Sequence, residues 1–126
     1  MDLLLQGDHY WCNSVVNARG AKNKGREWQN KIRDLLREKY ENQLEPDDIT
    51  STLMGESGCD IKLSPAARKL FPWSIEAKRQ EKVSLYAWWD QAKTNCKEGT
   101  KPAIILKSNR KDPLVVMSLD DFIDLL

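Results

Sequence analysis

The chain has 126 residues, 40% hydrophobic and 31% charged, with a formal net charge of +1, which suits one compact domain and excludes recognition of a partner by bulk charge alone. No apolar run approaches the roughly 20 residues that span a bilayer, and the opening MDLLLQGDHYWC lacks the basic start and long apolar segment of a signal peptide, so a cytoplasmic protein with no membrane partner is expected. Three widely spaced cysteines and a single histidine, His9, argue against a disulfide framework, a zinc knuckle or a His-dependent nucleophile, leaving oxygen ligands for any metal.

In chain order, residues 1–14 show no clear period, and NARGAKNKGR over Asn17–Arg26 is polar and basic. Residues 1–24 are therefore expected to form an N-terminal segment with a flexible basic arm, ahead of a single domain over 25–126. From Glu27 the pattern changes: Trp28, Ile32, Leu35 and Leu36 follow i, i+4, i+7, i+8 spacing and predict an amphipathic helix to about Tyr40. Turn residues fill NQLEPDD, a strand is expected over Ile49–Met54 and ends at GESG, and a second runs from Cys59 to Leu63. SPAARKLFP then leads, with room for one helical turn, to a strand over Trp73–Arg79 that is expected to pair with the preceding one.

Ser84 stands at an N-cap position before Leu85, Trp88, Trp89, Ala92 and Cys96 at helical spacing, with Gly99 placed to end that helix. PAIILK at Pro102–Lys107 is a continuous apolar run of the kind buried on both faces of a sheet, SNRKDP is a turn, and LVVMS is a further strand. Ser118 and Asp121 predict a capped final helix in LDDFIDLL. The order helix, three strands, helix, two strands, helix describes an α/β domain with a mixed central sheet flanked by helices.

The strand within FPWSIEAKRQ carries the chemistry. Side chains alternate along a strand, so Trp73, Ile75 and Ala77 share one face, while Ser74, Glu76 and Lys78 share the other. Asp60 follows the glycine-rich turn at the start of the neighbouring strand, from which its carboxylate can approach Glu76 closely enough to share one hard cation. Taken singly, each residue has an ordinary explanation: a same-face ion pair, a turn aspartate, and for Glu27 a first-turn acid that favours the helix dipole.

As an ordered set, GESGCD followed by IEAK resembles the PD-(D/E)xK nuclease superfamily, and within it the small Holliday-junction resolvases and phage-type endonucleases. AKNKGREWQNKIRDLL is similar to the first helix of those enzymes and puts Glu27 in the role of its acidic residue. The resemblance covers roughly residues 17 to 117. It departs from the pattern at Cys59, where proline is usual, and in the charged, proline-containing stretch between Asp60 and Glu76.

The resemblance implies a restriction-endonuclease-like fold and a Mg2+- or Mn2+-dependent endodeoxyribonuclease, selective for Holliday junctions or other branched DNA and acting as a homodimer. Asp60, Glu76 and the carbonyl of Ala77 would ligate the metal, Lys78 would orient water or stabilise negative charge, and Glu27 would complete the shell or hold a second ion. Two-fold symmetric junctions suit a symmetric pair of sites.

Charge is segregated, with base in excess over residues 15–40 and 61–111 and acid in excess over 41–60 and 112–126. Arg19, Lys22, Lys24 and Arg26 are candidate phosphate contacts, as are Arg79 and Lys82 beside the site, although solvated charge on separate faces gives the same counts. Trp88 and Trp89 fit a stacking platform, a dimer face or plain core, and Gln91 fits a polar helper or a solvated position. Three other functions share these features: a nuclease for linear duplex or single strands, a non-catalytic nucleic-acid-binding domain, and a protein-interaction module presenting the Trp-rich helix.

Overall fold

The computed structural model describes the backbone from Ala18 and side chains from Gly20 onward; expectations for residues 1–17 and for the Arg19 side chain lie outside the described residues. Helix α1 spans Ala18–Lys39. It starts well before Glu27, because AKNKGR is rich in strong helix formers, and the helix's two glycines, Gly20 and Gly25, cost about 1 kcal/mol each, which a long packed helix absorbs. One helix thus crosses the expected boundary at residue 24. Its apolar stripe buries Trp28 and Ile32, and the Trp28 indole N–H donates to the carbonyl of Ile105 at 3.0 Å.

Strands β1 (Ile49–Ser51) and β2 (Ile61–Leu63) form an antiparallel hairpin, with Thr50 opposite Lys62. Strand β3 (Trp73–Arg79) runs parallel to β4 (Lys101–Lys107), which pairs antiparallel with β5 (Leu114–Val116). The mixed sheet is as expected, but the pairing of β2 with β3 is not: among the described residues these strands share no ladder and belong to separate sheets. Between them lies α2 (Pro65–Leu70), capped by the Ser64 hydroxyl, which accepts from the Ala67 amide. This turn of helix redirects the chain. What remains of the pairing is a bond from the Asp60 amide to the Ile75 carbonyl at 2.9 Å, just ahead of β2.

Helix α3 (Leu85–Thr94) makes the crossover that a parallel pair requires. Ser84 precedes it as expected, but its hydroxyl makes no capping bond. The last helix, α4 (Leu119–Asp124), is capped by Ser118, whose hydroxyl accepts from the Asp121 amide.

Helices cover both faces of β3 and β4. Trp28, Ile32, Ile49, Ile61, Ile75 and Ala103 share a core on the α1 side, and Trp88, Ala92, Ile104 and Leu106 form a second on the α3 side. Alternation along PAIILK therefore feeds two cores in turn, which explains why the run is apolar throughout. Trp88 is buried and the partly buried Trp89 packs against the same core, so Trp88 is core and not a stacking platform. No helix among the described residues is long and apolar enough to cross a membrane.

Candidate active site

Asp60 closes the loop between β1 and β2. Gly55 and Gly58 take positive φ in this loop (88° and 102°), a conformation that costs a glycine little. Polar bonds hold the root of the loop. The Thr52 amide donates to the Asp60 carbonyl at 2.9 Å, the Thr52 hydroxyl to the Cys59 carbonyl at 2.7 Å, and the Gln29 amide group to the Thr52 and Asp60 carbonyls. The carboxylate is then aimed at β3, where Oδ2 accepts from the Ala77 amide at 2.7 Å. Asp60 is thereby fixed at the residue between Glu76 and Lys78, and cysteine in place of proline at position 59 does not prevent it.

Glu76 leaves β3 on the α3 side and is 2% exposed. Its Oε1 accepts from the Asn95 side-chain amide at 3.0 Å. Among the described residues Oε2 has no hydrogen bond, and no sealed side-chain oxygen or nitrogen lacks a partner, so Oε2 is an acceptor open to solvent. Burial pushes the Glu76 carboxyl above the usual range; Asn95 opposes this, the neighbouring Asp60 adds to it, and Lys78 opposes it. Burial likewise raises Asp60, against the Ala77 amide and the Lys78 ammonium. The acids brought together are thus close enough to repel, with one lysine acting on both.

Lys78 donates to the Gln91 side-chain carbonyl at 2.7 Å and lies 5.8 Å from the centre of the Trp88 ring. Gln91 occupies an exposed helix position and from there accepts a hydrogen bond from the Lys78 ammonium. Residues 20–126 match the model of a family described as "Phage putative PDDEXK endonuclease". The chain belongs to that family. No curated protein and no solved structure matches it significantly.

Membership makes the protein a nuclease of the PDDEXK class, and the residues that carried the resemblance can be placed. Asp60, Glu76 and Lys78 are brought together, Asp60 on the Ala77 amide and Lys78 acting on both carboxyls. Glu27 does not join them: it is exposed, it is absent from the cleft that reaches Asp60, and among the described residues no three acids are grouped to hold a metal. Each residue turns a helix by about 100°, so with Trp28 facing the core, Gln29 meets the loop and Glu27 turns away from it. Gln29, which the sequence reading missed, is the α1 residue that touches the site.

PDDEXK nucleases generally use divalent metals, and the donor set here fits one. Among the described residues, Asp60 and Glu76 each keep an oxygen without a protein hydrogen bond, and the Ala77 carbonyl leaves β3 on the same side as the amide bound to Asp60. Two carboxylates and a carbonyl, with water and phosphate completing the shell, is how a small hard cation is commonly bound.

A cleft of about 680 Å3 runs from Asp60 and Ala77 between α1 and the β1–β2 loop, and Lys22, Arg26, Arg33 and Arg37 line it. Lys22 and Arg26 were expected as phosphate contacts; Arg33 and Arg37 continue their row down the helix. Lys24 and Arg79 are placed differently. The Arg79 side chain, 3% exposed, donates to the Asn109 side chain at 2.8 Å and to the Lys107 carbonyl at 3.2 Å, and it pairs with Glu81. Lys24 donates to the same Asn109 oxygen. This clasp ties α1 to the end of β3 and to the β4–β5 turn, so both cations are engaged in holding the fold. Lys82 remains exposed. Arg79→Ala is expected to lower stability by about 1–3 kcal/mol, read by denaturant melts, and to leave the salt slope of DNA binding unchanged.

Proposed function

We propose that this PDDEXK endonuclease is a divalent-metal-dependent enzyme that cuts DNA at branch points, including four-way junctions, as a homodimer acting inside the cell. The observation that carries the reading is the meeting of Asp60 and Glu76 at the edge of β3, each with an oxygen to spare, next to Lys78. Unpaired with a cation, such a group has no structural benefit, since burial and mutual repulsion both oppose its charge.

A bound Mg2+ or Mn2+ supplies a water that is nucleophilic near neutral pH and neutralises phosphate charge. Asp60, Glu76 and the Ala77 carbonyl would hold it, with Asn95 and the Ala77 amide fixing the carboxylates in place. Lys78, steadied by Gln91, faces the scissile phosphate and stabilises negative charge that grows as the phosphorus becomes five-coordinate. Lys22, Arg26, Arg33 and Arg37 guide the strand to this point. The two-fold symmetry of a four-way junction supports the homodimer, in which symmetric copies cut opposing strands.

The deciding assay compares labelled four-way junction, linear duplex and single strand in Mg2+, Mn2+, Ca2+ and chelator. Expected is divalent-dependent cutting with the junction fastest, by about tenfold or more, from a difference of ~1.4 kcal/mol in transition-state binding. Equal cutting of linear duplex removes the branch selectivity. Salt-sensitive binding with no cutting in any ion makes the chain a binding domain that has kept the fold.

A further inference from the structure

Two apolar side chains stand in the polar surroundings of the site without a partner. Leu53 and Met54, at the tip of the β1–β2 loop, are 69% and 73% exposed. The tip is organised. The Leu53 amide donates to Glu56 Oε1 at 2.8 Å, the Glu56 amide returns a bond to the Leu53 carbonyl at 3.1 Å, and Glu56 Oε2 pairs with Lys62 at 2.6 Å. Together with the bonds of Thr52 to Cys59 and Asp60 at the root, these present both side chains outward from a built turn.

Clefts with basic side chains in their walls lie on both sides of this loop. One is the cleft with Arg26, Arg33 and Arg37, which Leu53 and Met54 also line. The other, of about 270 Å3, has a more apolar floor, with Lys97, the Glu56-paired Lys62 and Arg68 at its wall, and reaches Asn95, the residue that holds Glu76. Thr52 lines both, so they meet at the loop's root, beside the catalytic carboxylates. The basic α1 wall suits one stretch of phosphate backbone and Lys97 with its neighbours a second, and the apolar tip between them suits what lies between two backbones: bases.

We infer that Leu53 and Met54 form a wedge that covers an unstacked base step at the branch point of the DNA. The inference rests on the nuclease reading and gives it a basis for selectivity. In an intact duplex, inserting apolar side chains requires a base step to be pulled apart, whereas at a branch the terminal pairs already expose apolar faces. Covering those faces removes apolar area from water at little cost, so the wedge favours branched over continuous DNA.

The test uses the full chain in Ca2+ with a four-way junction and a linear duplex, each carrying 2-aminopurine, a base that brightens when unstacked. Binding of the parent protein is expected to brighten the junction probe at its branch step. L53A/M54A abolishes the brightening and weakens junction binding about tenfold or more while linear-duplex affinity changes less than about twofold, the lower bound set by losing even part of the burial of two apolar side chains. L53K/M54K also abolishes the brightening but tightens linear-duplex binding, because added cations neutralise phosphates. Both variants should melt like the parent, since the positions are exposed. Undiminished brightening and an unchanged preference in either variant overturn the wedge and leave the nuclease standing, with the tip then open to a protein partner. A parent that binds neither DNA overturns both.

Discussion

Glu76→Gln is expected to remove divalent-dependent cleavage, by about a thousandfold or more in kcat, and at the same time to raise the thermal midpoint of the metal-free protein by about 3–5 °C. The two effects share a cause. Glu76 is buried beside Asp60, and its carboxyl is held above the ordinary range first by burial, with Asp60 adding to it against Asn95 and Lys78. A carboxyl whose folded pKa exceeds its unfolded value takes up a proton more readily in the folded state, so stability declines as pH rises through the interval between the two and stays lowered above it. At neutral pH the metal-free enzyme carries that cost. Glutamine has the same shape and can still accept the Asn95 hydrogen bond, but it has no charge to bury or to repel. Divalent ion should raise the parent's midpoint and leave the variant's where it was, since a ligand stabilises only the state that binds it. Melts of both proteins with Mg2+ and with chelator decide the matter. A variant that melts below the parent without metal, or that cuts at the parent's rate, would take Glu76 out of the metal site.

Much of this site was legible from alternation alone. Glu76 and Lys78 face α3 and Ile75 faces α1, as a period of two requires, and PAIILK is buried on both sides. The same period contained a warning about Arg79: as an odd-numbered neighbour of Ala77 it belongs to the α1 side, where the clasp with Asn109 holds it. Gln91 and Asn95 were readable too, because Trp88, Gln91, Ala92 and Asn95 recur at helical spacing and so point towards β3 together. Less was available for what depends on tertiary packing. Pairing of β3 with β4 in preference to β2 is decided by where α2 and α3 send the chain, and no local pattern encodes it. Glu27 and Gln29 are both polar and flank a core tryptophan, and only the position of the loop relative to α1 says which of them reaches Asp60. Arg33 and Arg37 escaped notice because a polar row on a helix looks like solvated surface until a second element makes it the wall of a cleft.

Lys78→Met is expected to lower the single-turnover rate about 100- to 1,000-fold while binding of DNA in Ca2+ stays within about twofold, the signature of a cation that acts on charge appearing only in the transition state. Methionine keeps an unbranched apolar stem to lie against Trp88 and removes only the ammonium, which in the parent is fixed by Gln91 at 2.7 Å and sits 5.8 Å from the ring. Placement matters more than charge here: Lys22 and Arg26, with Arg33 and Arg37 behind them on the Asp34 carboxylate and the Ile49 carbonyl, keep the cleft basic, so losing one further cation should barely change affinity. A second effect follows from electrostatics. Lys78 pulls both the Asp60 and the Glu76 carboxyls downward against burial, so without it both should hold their protons to higher pH. Protons and metal compete for those oxygens. The acid limb of the pH–rate profile should therefore move to higher pH in the variant, and more Mg2+ should be needed to reach half-maximal rate. A rate loss matched by an equal loss of DNA binding would make Lys78 a phosphate contact. Cleavage at the parent's rate would remove it from the site altogether.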